Sequence, residues 1–131
     1  MEIIKVALIC LTEKRLLVVH KKTIDMYISP GGKIERGESD LKCLEREIQE
    51  ELGCGVFNIN YLHTFKGKSV DEEDEVELRC YTGDLIGDIK LNPKDNIDGF
   101  LWIDKNYDKN IKLASLLKYQ IIPYLVSRRQ M

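Results

Sequence analysis

The chain contains no apolar run near the ~20 residues that a membrane-spanning helix requires. Its first residues, MEIIKVALICL, have neither a charged leader nor a cleavage site, so they read as a strand and not as a signal peptide. Four cysteines, Cys10, Cys43, Cys54 and Cys80, show no C-x-x-C spacing. That speaks against a zinc site or a disulfide scaffold and leaves reduced thiols in a cytoplasmic protein as the expectation. Net charge is nearly balanced, at −2 with Lys and Glu interspersed, which gives no basic footprint for long nucleic acid. Repeats, low-complexity segments and linkers are absent. At 131 residues there is room for one core, so residues 1–131 are expected to form a single domain.

What is present concentrates between Gly32 and Cys54, GKIERGESDLKCLEREIQEELGC. Glu47, Glu50 and Glu51 are spaced three and four residues apart, which on a helix gathers three carboxylates on one face. Like charges at that spacing cost an isolated helix a few tenths of a kcal/mol per pair, a cost that a bound cation removes. Oxygen ligands alone suit a hard divalent ion such as Mg²⁺ or Mn²⁺. Leu41, Leu44, Ile48 and Leu52 form an apolar stripe roughly opposite the glutamates, which predicts an amphipathic helix packed on a core. Ser39 is placed to cap its start, Asp40 favours the positive end of its dipole, and Gly53 marks its C-terminus.

The whole segment resembles the Nudix box, G-x5-E-x7-R-E-U-x-E-E-x-G-U, where U is a bulky apolar residue. Gly32, Glu38, Arg46, Glu47, Ile48, Glu50, Glu51 and Gly53 match it position by position. Cys54 departs mildly, since a free cysteine behaves as a small hydrophobe. The resemblance implies an α/β fold of the Nudix type, an α/β/α sandwich with a mixed β-sheet between helices. It also implies a hydrolase of nucleoside diphosphates linked to another group. Glu47, Glu50 and Glu51 would then hold the metal, with a backbone carbonyl of Gly31 completing the shell, and Glu47 or Glu51 would also act on the attacking water. Arg46 would orient a glutamate carboxylate, and Glu38 would brace the loop on the helix. Gly31, Gly32 and Lys33 would form the substrate-side turn.

Outside the box, Ser29 stands where relatives often carry an apolar residue. Many relatives also carry a glutamate six residues before the tryptophan of the last strand, where this chain has Asn96. Asp95, Asp98 and the acidic run Glu72, Glu73, Asp74 and Glu75 are alternative sources of an auxiliary acid. The reading favoured by position is that none replaces it and water fills the place. His20 and His63 have no ligand spacing and are read as surface or packing residues, and Trp102 and Phe100 as core. Lys21, Lys22, Lys33 and Arg36 lie near the box and default to exposed cations.

Strands are predicted at Ile3–Leu11 and Arg15–Lys21, joined as a hairpin through Thr12–Lys14, and at Val56–Lys66, Val76–Leu85 and Phe100–Ile103. A second helix over Ile111–Val126 should be kinked or ended by Pro123. Within the resemblance, the compact chain is more similar to MutT-type members than to the longer ADP-ribose pyrophosphatases, which implies a nucleoside triphosphate pyrophosphohydrolase acting on a small nucleotide as a monomer or homodimer. Nucleotide sugars including ADP-ribose, dinucleoside polyphosphates, and a catalytically silent nucleotide-binding module are the alternatives. The intact glutamate set argues against the last.

Overall fold

A computed structural model describes residues 2–69 and 73–131. Arg15–Lys21, RLLVVHK, forms strand β3, whose four central residues Leu16, Leu17, Val18 and Val19 are all fully buried. An unbroken apolar run of that kind belongs to a strand covered on both faces. Strand β1 (Glu2–Ile9) is similarly buried from Val6 to Ile9. These two strands anchor two four-stranded sheets.

In the first sheet β1 lies between β5 (Gly31–Lys33) and β7 (Glu75–Ile86), and β6 (Gly55–Lys68) forms the outer strand beyond β7. The pairing of β1 with β7 is parallel, and the other contacts are antiparallel, so the sheet is mixed. In the second sheet β3 pairs on one side with β8 (Ile97–Ile103). On the other it meets β2 (Leu11–Thr12) and β4 (Met26–Ile28).

Helix α1 (Asp40–Leu52) covers one face, packing Leu44, Ile48 and Leu52 with Val6, Leu8, Leu17 and Val19. The opposite face receives Leu117, Ile121 and Leu125 against Ala7, Ile9, Leu16 and Val18. Neighbouring residues of β1 and β3 thus serve opposite cores, which is the α/β/α layering the family resemblance implies.

Three expectations are corrected. Ile3–Leu11 is not one strand: it breaks at Cys10, with β1 in the first sheet and β2 in the second. Only Leu11 and Thr12 form the hairpin with β3, through Glu13 and Lys14, both at positive φ (51° and 62°). Such a two-residue turn matches the twist of the flanking strands even without glycine.

Leu41 is 46% exposed, whereas Cys43 is fully buried. The buried arc runs from Cys43 past Glu51 to Leu52; Leu41 shares its phase but sits in the first turn, at the exposed start of the helix. At about 100° per residue Glu51 lies only about 20° from Leu44. The glutamates therefore border the apolar stripe instead of opposing it.

The last helix is shorter than predicted and is not ended by Pro123. A π-helical turn, Leu117–Ile121, runs into α2 (Ile122–Ser127), with the Ile122 N–H donating to Leu117 O. Proline at the start of α2 lacks an N–H to donate backward, and the wider turn before it absorbs the mismatch.

Candidate active site

Local signals place α1 as the sequence implies. Ser39 Oγ accepts the Lys42 N–H at 3.2 Å, and Gly53 closes the helix in the left-handed region at φ 64°. Asp40 does more than favour the dipole. It accepts from Arg79 Nη1 at 2.9 Å and Tyr81 Oη at 2.6 Å, tying the start of the helix to β7.

The Pro30–Gly31–Gly32 turn lies against this helix closely enough to demand both glycines. Gly31 sits at φ 142°, and a Cβ there would stand 2.0 Å from the Val6 carbonyl oxygen. A Cβ on Gly32 would stand 2.5 Å from the Glu47 carboxyl carbon. The approach lets the Gly31 N–H donate to Glu51 Oε1 at 2.9 Å.

Glu51 is only 7% exposed. Burial pushes its carboxyl up to about 8; the Gly31 N–H opposes the shift, and the charges of Glu47 and Asp95 add to it. Burial also raises Glu47, against the pull of Arg46. Glu50 stands at the rim with half of its side chain exposed.

Arg46 organises the entrance. Its Nε and Nη2 grip Glu38 as a fork, at 2.7 and 3.0 Å, while Nη1 reaches Glu47 at 2.9 Å. The bidentate partner is thus Glu38, and the helical i,i+4 contact to Glu50 is a loose 3.4 Å. Glu38 also accepts the Glu35 N–H at 2.9 Å, fastening the loop onto the helix. Held mainly by Arg46, its carboxyl falls to about 2.

Glu47, Glu50 and Glu51 line one cleft of about 710 Å³, together with Gly31, Gly32 and Lys33. Among the described residues, no three carboxylate, imidazole or thiol groups are grouped tightly enough to enclose a metal ion. The donor set nevertheless fits a hard divalent cation. Two inward carboxylates are raised toward neutrality by burial, and a cation in the cleft favours their ionised form.

The acids near the expected auxiliary position differ in where they point. Asp95 enters the cleft beside the glutamates. Asp98 turns away to His20, and Asn96 is bonded to Thr23. Glu75 pairs with Lys68 at 2.5 Å, Asp74 reaches the cleft wall, and Glu72 lies outside the described residues.

Lys21 and Lys33 also line the cleft, whereas Arg36 is exposed and Lys22 Nζ reaches Pro93 O at 3.4 Å. Lys5 was missed by the sequence reading; it faces the cleft between Ile3 and Ala7, directly across from Lys33. A lone charge inside an otherwise apolar strand was the available signal. Cys54 is buried as a small apolar residue, Trp102 packs partly buried beside α1, and Phe100 is exposed, contrary to the core role expected for it.

The NUDIX domain family matches residues 2–118, nearly the whole chain. The chain belongs to the Nudix family. Its fold recurs in the MutT NUDIX hydrolase from Burkholderia pseudomallei, with a TM-score of 0.76 at 17% identity, covering 89% of this chain and 95% of that one. A UDP-X diphosphatase superposes with a TM-score of 0.81 at 17% identity, over 100% of this chain and 65% of the other. By sequence it is similar to mRNA-decapping enzyme subunit 2 of Saccharomyces cerevisiae, 23% identical over 108 residues. That match covers 82% of this chain, which spans about a tenth (11%) of the length of the curated relative. No helix of the described residues is long and apolar enough to cross a membrane.

Proposed function

We propose that this Nudix protein hydrolyses nucleoside triphosphates to the monophosphate and pyrophosphate, using Mg²⁺ or Mn²⁺. The observation that carries the reading is the composition of the cleft: inward glutamates on one wall and Lys5, Lys21 and Lys33 around the rest. A triphosphate brings more negative charge than a nucleotide sugar, whose far group is neutral, and three cationic side chains favour the former. Glu47, Glu50 and Glu51, with the Gly31 carbonyl, would hold the metal. The bound ion would neutralise phosphate oxygens and acidify a water.

The chain's own groups do the rest. Arg46 holds Glu47, Glu38 holds Arg46, and the two glycines let the turn meet both carboxylates. Glu51, raised by burial, is suited to take a proton from the attacking water.

A hydrolysis screen over nucleoside triphosphates, nucleotide sugars and dinucleoside polyphosphates tests the reading. Pyrophosphate release from a triphosphate is the expected result. Turnover confined to nucleotide sugars would move the substrate class, and binding without turnover would favour the silent module.

A further inference from the structure

His20 has no partner by spacing, yet in the fold both ring nitrogens meet carboxylates. Nδ1 is 2.5 Å from Asp98 Oδ1 and Nε2 is 2.9 Å from Asp25 Oδ1. A neutral imidazole has one N–H, so donating to both carboxylates requires the doubly protonated ring. Lys112 Nζ lies 3.4 Å from the other oxygen of Asp25, and the ring packs on Tyr27 with centroids 5.1 Å apart.

The location of this group gives it a role. Pairing of β3 with β8 slips between His20, which faces Gly99, and Lys21, which faces Ile97. Asp98 is the residue left over, the bulge in β8. Just ahead of it run Asp95, Asn96 and Ile97, a wall of the cleft.

Asn96 is bound on one side, accepting the Thr23 N–H at 3.2 Å and donating to Thr23 Oγ1 at 3.0 Å, while its carbonyl accepts the Lys22 N–H at 2.9 Å. Asp95 Oδ1 accepts the Ile97 N–H at 3.0 Å. The segment carrying Asp95 is therefore fastened at two points, Asn96 to Thr23 and Asp98 to His20.

We propose that His20 is a positioning residue: clasped by Asp98 and Asp25, its imidazolium holds the β8 bulge and so sets Asp95 against Glu47 and Glu51. Exposed ion pairs add little to global stability, but an ångström of misplacement near reacting atoms costs about a hundredfold in rate. Arginine at this position keeps a cation with several donors, whereas glutamine keeps neither the charge nor both bonds.

The kinetic arm of the test rests on the hydrolase reading, and the exchange arm does not. Turnover and amide hydrogen exchange are compared for the wild type, His20→Gln, His20→Arg, Asp98→Asn, Asp95→Asn and the His20→Gln/Asp95→Asn double variant. His20→Gln and Asp98→Asn are each expected to lower kcat about tenfold or more with KM nearly unchanged. His20→Arg should restore most of it. Adding His20→Gln to Asp95→Asn should change little, because the two act through one group. The Lys22 and Ile97 amides should exchange about tenfold faster in His20→Gln, with those of α1 unaffected. Wild-type exchange at Lys22 and Ile97 in His20→Gln, or multiplicative losses in the double variant, would overturn the proposal. If the wild type hydrolyses no nucleotide, the hydrolase reading fails by itself, and exchange at the two amides still decides the role of His20.

Discussion

Glu51 shows how a single carboxylate links stability to chemistry. Its carboxyl is raised from 4.5 to about 8 by burial, so the folded apoprotein binds this proton more tightly than the unfolded chain does. The stability this group contributes is complete at low pH and is lost as pH rises through about 8. The melting temperature of the apoprotein should fall between about pH 5 and pH 8 through this group, and Glu51→Gln should flatten the decline. Thermal unfolding in EDTA across that range measures it. Turnover of Glu51→Gln should drop by several orders of magnitude while the protein stays folded. Near-normal activity would place the essential ligand elsewhere. Asp95 belongs at this scale too. Asp95→Asn should reduce kcat about tenfold to a hundredfold; an unchanged rate would support the reading in which water alone fills the place of the absent glutamate.

For helix α1, burial along its length decides which substitutions matter. Leu44→Ala removes a fully buried side chain and should cost about 2–5 kcal/mol. Leu41→Ala changes an exposed one and should cost less than about 0.5 kcal/mol. Urea denaturation of the two variants checks that packing is carried by the buried middle of the helix and not by its exposed first turn. The limits of α1 were legible because their causes are local: the Ser39 cap, the Gly53 terminator and the apolar spacing all sit within the segment. The same spacing already puts Glu51 about 20° from Leu44, on the buried side; what it does not show is that Gly31 and Gly32, from another strand, meet Glu51 and Glu47 there. The break at Cys10 was hidden for a similar reason: strand composition does not say which sheet each half joins. The turn admits no side chain at Gly31. Gly31→Ala would drive a Cβ into the Val6 carbonyl, destabilising the fold by about 1–3 kcal/mol and abolishing turnover. A folded, active Gly31→Ala would show that the turn yields.

On the scale of the whole molecule, the net charge is only −2, while the cleft is lined by charges of both signs. Its acids are Glu47, Glu50, Glu51, Asp74 and Asp95, and its lysines Lys5, Lys21, Lys33 and Lys68. EDTA should abolish turnover, and Mg²⁺ or Mn²⁺ should restore it. The divalent ion should also raise the melting temperature more at pH 8 than at pH 5, because it competes with the proton on the raised carboxylates. Equal stabilisation at both pH values would mean that the metal binds elsewhere. The family and layered fold were legible from one motif and the strand pattern. The far wall of the cleft was not, because Lys5, Asp95 and the start of the last helical segment converge from distant parts of the chain.

The parallel pairing of β1 with β7 sets a schedule for the chain's assembly. Glu2 pairs with Glu75 and Ile9 with Thr82, so the central strand acquires its neighbour only after a long loop has closed. Everything from the first hairpin to the end of β6 lies inside that loop. Contacts this far apart in sequence delay the rate-limiting encounter. Helix α1 docks on the sheet that this encounter completes and is tied to β7 by Asp40, Arg79 and Tyr81. During refolding, its amides should gain protection together with those of β7 and not ahead of them, which pulse-labelled exchange can resolve.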